Sequence, residues 1–243
     1  MIESDVLVGT RYGRMPAFAV HPEGPGSFAP VIFYMDAPGY REELKNMCRR
    51  IARAGYFCLL PDLYYRLGTV RFDLSRRDDG MSGVIRASRN TLSNAMVTDD
   101  TAGVLAFFDA HPAAKPGPVG CTGHCMSGRF IVTVAARFPN RIAAAAAFYG
   151  VQIVTDQPDS PHLIADRIKG EVYLSFAEVD ELVPANVVPD IKAAFDRGGV
   201  KHDVEVVKGT HHGYCFPERA AHHPEAAENA FNKLTAMWRR TLG

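Results

Sequence analysis

The sequence predicts an α/β fold in which helices cover both faces of a mostly parallel central sheet. The first observation behind this prediction is an alternation along the chain. Short apolar runs, rich in β-branched and aromatic residues, alternate with longer stretches whose apolar residues recur at helical spacing, as in strand–helix units. The second observation is the length of 243 residues, which is enough for one sizeable core. No internal repeat or linker divides the sequence, so we expect a single domain over residues 1–243.

Eight apolar runs are predicted to be strands. The first two lie on either side of a break near residues 9–14, and we expect them to form an antiparallel hairpin at one edge of the sheet. The predicted strands span residues 5–8, 16–20, 31–35, 57–60, 119–122, 143–149, 172–176 and 204–208.

Five longer stretches carry apolar residues at helical spacing and are predicted to be helices. Three of the predicted ends are followed by residues that commonly terminate helices, namely Gly55, Pro112 and the pair Gly198-Gly199. The predicted helices span about residues 40–54, 94–110, 126–138, 185–198 and 224–240.

The segment from residue 66 to 98 interrupts the alternation. It is polar, contains three glycines, shows no sustained period, and has more arginines than aspartates. In an α/β fold, a long insertion after a strand leaves the sheet at the carboxyl edge, where ligands bind. We therefore expect either a basic cap that suits an anionic substrate or a solvated surface loop. The charged residues concerned are Arg66, Arg71, Arg76, Arg77, Arg86, Arg89, Asp73, Asp78 and Asp79.

Composition argues against several classes of partner. Lys plus Arg and Asp plus Glu both count 27, so no net field favours nucleic acid or an anionic membrane surface. No apolar run approaches the ~20 residues of a membrane span, and the first 30 residues do not read as a signal peptide. The five cysteines lack paired zinc-type spacing, which favours free thiols in a reducing compartment. We therefore expect a cytoplasmic location.

The run Gly-His-Cys-Met-Ser-Gly at residues 123–128 carries the strongest chemical signal. It joins a predicted strand to a predicted helix, and small residues flank its thiol, Cys125. This pattern is typical of a nucleophile elbow, a strained turn that exposes the central side chain above the sheet. The following helical N–H groups favour negative charge at the same place. The pattern predicts acyl transfer through a thioester.

A thiol nucleophile needs a base, and the base needs a group that orients it. Asp180 follows the predicted strand at 172–176, and His212 follows the one at 204–208, which is the order that nucleophile elbows require. Glu178 and Glu181 compete with Asp180. His211 competes with His212, but the glycine after His212 leaves room for a turn that brings its ring to the thiol.

With these residues in view, the sequence resembles the dienelactone hydrolase family of α/β-hydrolases across nearly its whole length. The resemblance rests on the elbow, on Pro-Asp-Leu-Tyr at residues 61–64, on the Asp180 loop and on His-Gly-Tyr at residues 212–214. It implies an α/β-hydrolase fold and a triad of Cys125, Asp180 and His212 that hydrolyses a small ester or lactone.

The sequence also departs from the family pattern. Asp36 stands where the family has a glutamate that contacts the resting thiol, and Ser127 stands where it usually has glycine. Phe216 replaces an arginine that binds the substrate carboxylate in the dienelactone enzymes. Asp36 is kept as a candidate substrate-binding residue. Arg219, Arg86 and Arg89 are the arginines that could take over the carboxylate contact, so the charge of the substrate stays open.

The mechanism expected from these residues needs neither a metal nor an organic cofactor. His212, oriented by Asp180, would take the proton of Cys125, and the thiolate would attack an ester or lactone carbonyl. The backbone N–H groups of Met126 and Ala37 are the candidate oxyanion donors, because Pro38 has none. Tyr149 is interpreted either as a pocket-lining residue or as an aromatic at the edge of the core.

Two other functions are kept as alternatives. A class I glutamine amidotransferase also has an elbow cysteine and a His-Pro-Glu motif, which this sequence matches at residues 223–225. There, however, the motif follows no predicted strand and reads as the start of a helix. A ligand-binding or redox-sensing protein would use Cys125 as a sensor thiol without turnover. The pairs at residues 211–212 and 222–223 are a weak metal hypothesis, because adjacent histidines diverge.

Overall fold

The computed structural model describes all 243 residues, and the chain divides into two compact units, Met1–Gly117 and Pro118–Gly243. None of the helices combines the length and the apolar character that crossing a bilayer requires. The first unit contains β1 (Ile2–Thr10), β2 (Gly13–His21), β3 (Pro30–Tyr34), α1 (Glu42–Arg53), β4 (Phe57–Pro61), α2 (Asp79–Asn90) and α3 (Asn94–Ala110). The second contains β5 (Val119–His124), α4 (Gly128–Arg137), β6 (Ile142–Phe148), β7 (Glu171–Val179), α5 (Val187–Gly198), β8 (His202–His211) and α6 (Pro224–Thr241).

In the first unit the strands lie in the order β1-β2-β4-β3. β1 and β2 form the predicted antiparallel hairpin, in which Thr10 pairs with Gly13, and β3 runs parallel to β4. Every residue of β3 and β4 is buried, as expected for parallel strands that are covered on both faces. The predicted edge hairpin is therefore confirmed.

In the second unit the strands lie in the order β5-β6-β7-β8, and all neighbouring pairs are parallel. α4 packs on β5 and β6, α6 on β6 and β7, and α5 on β8. Because the four strands are parallel, the loops that follow their carboxyl ends lie along one edge. The α/β class with mostly parallel strands is confirmed. The predicted catalytic residues Cys125, Asp180 and His212 each lie just after a strand at this edge.

Each predicted strand and helix has a counterpart, with boundaries that differ by no more than three residues. One α-helix was missed. The segment expected to have no sustained period contains α2, whose N-cap is Asp78: its carboxylate accepts a hydrogen bond of 2.7 Å from the N–H of Met81. Gly80 and Gly83 lie inside this helix and obscure its pattern, because glycine has low helix propensity. A cap-like role for this segment stays a prediction.

Buried charge holds α3 against the segment that follows β4, and close contact holds it against the tip of the β1–β2 hairpin. Asp100 on α3 is buried and accepts two hydrogen bonds from the Arg66 guanidinium, at 2.9 and 2.7 Å, and one from the Tyr65 hydroxyl at 2.8 Å. Gly103, one turn further along α3, faces the backbone of β1: a Cβ there would lie 2.3 Å from the carbonyl oxygen of Gly9. The helix can approach the hairpin this closely only because residue 103 has no side chain.

We therefore predict that Gly103→Ala destabilises the fold, although alanine is the better helix former by about 1 kcal/mol. The backbone overlap should lower the free energy of unfolding by about 1–3 kcal/mol, which urea denaturation would measure. Gly83→Ala in α2 is the matched control, because a Cβ at Gly83 meets no atom within 4 Å and should stabilise the chain. A Gly103→Ala variant as stable as Gly83→Ala would contradict the inferred contact.

Candidate active site

Cys125 lies in a strained turn directly after β5. Its φ is +54°, a left-handed conformation that is rare outside glycine, and α4 begins three residues later at Gly128. The backbone of Gly128 packs directly against the backbone of Gly150 in the loop after β6. A Cβ on Gly128 would lie 2.4 Å from the Cα of Gly150, so no side chain fits there. Ser127, where the family usually has glycine, is fully buried with φ of −75° and fits the turn without strain. The strained strand-to-helix turn predicted at residues 123–128 is present.

Asp180 and His212 meet at the carboxyl ends of β7 and β8. The Nδ1 atom of His212 lies 2.7 Å from Oδ2 of Asp180, and the other carboxylate oxygen accepts the N–H of Leu182 at 3.0 Å. The Asp180 side chain is 2% exposed and that of His212 is 24% exposed. Of the rival acids, Glu178 instead accepts the N–H of Gly209 at 2.8 Å. The structure therefore pairs the two residues that the strand order indicated.

The electrostatics of His212 link it to both predicted partners. Burial alone lowers the pKa of its imidazole. Its hydrogen bonds with Asp180 and Cys125, together with the negative charges of those groups, outweigh burial and raise the pKa from 6.5 to about 9. An imidazole in this setting holds its proton at neutral pH beside a sulfur atom and a carboxylate. The arrangement can stabilise a thiolate and later return a proton to a leaving group.

One aromatic ring contacts His212 within the second unit, and other aromatic rings pack against that ring. The ring of Tyr149, which is buried, lies 4.9 Å from that of His212 in an edge-on arrangement and 5.3 Å from that of Tyr214. Phe216 is buried with its ring 4.6 Å from the ring of His124. Tyr149 therefore contacts the candidate site, and its predicted contact with substrate stays a prediction. Phe216 is thus a buried aromatic residue, with its ring 6.5 Å from that of Tyr149.

Two predicted site residues of the first unit, Asp36 and Ala37, follow β3. Asp36, which follows β3, is buried and forms a two-point ion pair with Arg41, at 2.5 and 3.1 Å. Arg41 also donates to the carbonyl of Gly39 at 3.1 Å, and the Tyr64 hydroxyl donates to the carbonyl of Ala37 at 2.7 Å. Sequence reasoning missed Arg41. The signal available was a basic side chain five residues after a candidate buried acid.

The two arginines proposed for the cap lie on α2. Arg86 is exposed, and Arg89 donates to the side-chain carbonyl of Asn90 at 3.2 and 3.3 Å. A part in substrate binding stays a prediction for both, as does the assignment of the backbone N–H groups of Ala37 and Met126 to an oxyanion hole.

The His-Pro-Glu run is the start of α6. The Nδ1 atom of His223 caps the helix by accepting the N–H of Ala226 at 3.2 Å, Pro224 is its first residue, and Glu225 lies in its first turn. The helix-start interpretation is confirmed, and the motif needs no catalytic explanation. No group of three or more His, Cys, Asp or Glu side chains is arranged to hold a metal ion.

Comparison with known proteins agrees with this geometry. The model of the family described as "Dienelactone hydrolase family" matches residues 15–242. A "Putative carboxymethylenebutenolidase" from Synechocystis sp. is 26% identical over 232 residues, which are 94% of this chain and 93% of that protein. A second "Putative carboxymethylenebutenolidase", from Methylorubrum extorquens, is 28% identical over 244 residues. The match covers 99% of this chain and 81% of that protein.

A solved structure supports the fold. The crystal structure of "Putative Dienelactone Hydrolase" from Klebsiella pneumoniae superposes with a TM-score of 0.88 at 24% identity and covers 98% of both chains. The α/β-hydrolase fold implied by the elbow is thus confirmed. Since the family match spans nearly the whole sequence, the chain belongs to the dienelactone hydrolase family and is a hydrolase of ester or lactone bonds.

Proposed function

We propose that this hydrolase cleaves a small ester or lactone through a thioester on Cys125, with His212 as acid and base and Asp180 as the group that orients it. The observation that carries the proposal is the 2.7 Å hydrogen bond between Asp180 and His212, whose imidazole pKa is raised in part by Cys125 in a strained elbow. Three side chains from three loops at one sheet edge form the relay that nucleophilic acyl transfer requires.

The chemistry proceeds in two halves. The Cys125 sulfur, its proton held by His212, attacks the carbonyl carbon, and a C–S bond forms as the carbonyl becomes an oxyanion. The oxyanion collapses, the C–O bond to the alcohol breaks, and His212 gives its proton to the departing oxygen. A water molecule then gives a proton to His212 while its oxygen bonds to the thioester carbonyl carbon. The C–S bond breaks, the acid leaves, and Cys125 and His212 return to thiolate and imidazolium. The alcohol of a lactone would stay tethered to the acyl group until this second half.

The oxyanion needs donors in place before the reaction. The N–H of Met126, directly after the nucleophile, is the donor that the elbow supplies in this proposal. The N–H of Ala37 stays a second donor expected from the sequence. Removing one such donor typically lowers the rate about 100- to 1,000-fold.

We predict that wild-type enzyme shows a product burst with p-nitrophenyl acetate in stopped flow and an acetyl adduct on Cys125 by mass spectrometry. Cys125→Ala should lose the burst and the adduct, and its turnover should fall by about 10⁴-fold or more, as for other nucleophile deletions. Cys215→Ala, which removes the thiol nearest in sequence to His212, is the matched control and should keep both. Adduct formation that survives in Cys125→Ala would rule out this thiol as the nucleophile.

A second prediction follows from the charge balance around His212. Its imidazole should titrate near pH 9 in ¹⁵N-resolved NMR, since its pKa is raised from 6.5 to about 9. Asp180→Asn should lower the midpoint, because burial continues to lower the pKa of His212 while the negative charge of Asp180 is gone.

Glu178→Gln is the control for this titration, since Glu178 bonds to the backbone of Gly209. The midpoint of His212 should not move in that variant. A wild-type midpoint near 6.5, or equal midpoints in Asp180→Asn and wild type, would refute the proposed pairing.

A further inference from the structure

Only three non-glycine residues of the chain have positive φ. They are Cys125 at +54°, Tyr149 at +39° and Gln152 at +57°. A left-handed conformation costs a residue with a side chain about 1–2 kcal/mol, and such strain often marks functional sites. Cys125 is the proposed nucleophile and Tyr149 contacts His212. The proposed mechanism assigns no role to Gln152.

The backbone of Gln152 is fixed to the elbow. The residue before it, Val151, donates its N–H to the carbonyl of Cys125 at 3.0 Å. Gly150 makes the backbone contact with Gly128 at the start of α4. Gln152 therefore lies one residue beyond a direct hydrogen bond to the backbone of the proposed nucleophile, in a segment that also contacts the start of α4.

The side chain of Gln152 faces away from the core. Val151 and Ile153 on either side are 4% and 0% exposed, whereas Gln152 itself is exposed. Its amide has no hydrogen-bond partner within the chain, so two N–H donors and one carbonyl acceptor are available to a ligand. Tyr149, three residues earlier in the chain, packs its ring against His212 and brings no formal charge. Glycine would adopt the same backbone conformation without strain but would offer no such group.

We propose that Gln152 is a specificity-determining residue, whose amide hydrogen-bonds a hydroxyl or carbonyl group on a neutral ester or lactone bound at Cys125. This inference rests on the proposed function and adds a substrate class to it: small acyl compounds that carry an uncharged polar substituent near the reacting carbonyl. In this proposal, the strained backbone conformation of Gln152 directs its amide side chain outward from a segment that is hydrogen-bonded to the backbone of Cys125.

Kinetic discrimination tests this role. The substrates are p-nitrophenyl esters of 2-hydroxybutyrate, 3-hydroxybutyrate and butyrate, and the readout is the ratio of kcat/KM for each hydroxylated ester to that for the plain one. In Gln152→Gly, which preserves the backbone conformation, the ratio should fall about 3- to 10-fold for at least one hydroxylated ester, the effect of one lost hydrogen bond. Gln157→Ala, an exposed glutamine of the same loop, is the matched control and should leave the ratios unchanged. Unchanged ratios in Gln152→Gly overturn the proposal.

A binding measurement separates this inference from the proposed function. The chain has only two glutamines, Gln152 and Gln157, so selective ¹⁵N labelling gives two pairs of side-chain amide signals. In Cys125→Ala protein, methyl 2-hydroxybutyrate or methyl 3-hydroxybutyrate should shift the Gln152 pair and leave the Gln157 pair in place. Shifts at Gln152 without Cys125-dependent turnover in the wild type would defeat the proposed function alone. Cys125-dependent turnover without such shifts would defeat the Gln152 assignment alone.

Discussion

The close approach of Gly128 and Gly150 is the constraint on which the candidate site depends. A Cβ at either position would lie within 2.8 Å of a backbone carbon of the other glycine, so the chain can adopt this arrangement only with no side chain at either point. The approach brings the N–H of Val151 within 3.0 Å of the Cys125 carbonyl. That hydrogen bond helps to hold the elbow in a conformation that costs about 1–2 kcal/mol for a non-glycine residue. The elbow and the loop after β6 are consequently joined by a hydrogen bond and by a close backbone contact.

Buried carboxylates supply the second organising feature, and each has a basic partner. In the first unit, Asp36 pairs with Arg41 and Asp100 with Arg66, both through two-point contacts. Leaving a buried carboxylate without its partner would lower the stability of the fold by several kcal/mol. Each pair therefore favours the loop positions in which the arginine reaches the carboxylate. In the second unit the partner of Asp180 is an imidazole. A guanidinium stays protonated, whereas an imidazole can gain and lose a proton in the working pH range of enzymes. Pairing Asp180 with His212 therefore gives a group that can exchange protons.

The aromatic surroundings give this proton-exchanging pair a particular chemical character. Tyr149 packs edge-on against His212, and Phe216 fills a position that carries arginine in the dienelactone enzymes. Within the second unit, the rings restrict the imidazole and limit its access to water, while they contribute no formal charge. In the proposed function, substrate recognition depends on shape and on a few polar groups near these rings. Gln152 is the proposed polar group among them.

The sequence by itself determined the strands, the helices and the identity of the thiol, because these depend on local patterns. Apolar periodicity, helix-ending glycines and small residues around Cys125 all act within a few residues of one another. The same locality explains the missed helix α2, whose glycines hide its period while a capping contact from Asp78 defines its start. The order of strands also placed Asp180 and His212 at one edge.

Only the tertiary structure decided which of the neighbouring acids meets the imidazole and how the elbow is supported. Asp180 lies 32 residues from His212, and Val151 lies far along the chain from Cys125, so no local pattern reports either hydrogen bond. The strain at Tyr149 and Gln152 is likewise invisible in the sequence, since ordinary side chains adopt positive φ only where surrounding contacts require it. Local preferences selected the elements, and packing between distant segments fixed the geometry of the site.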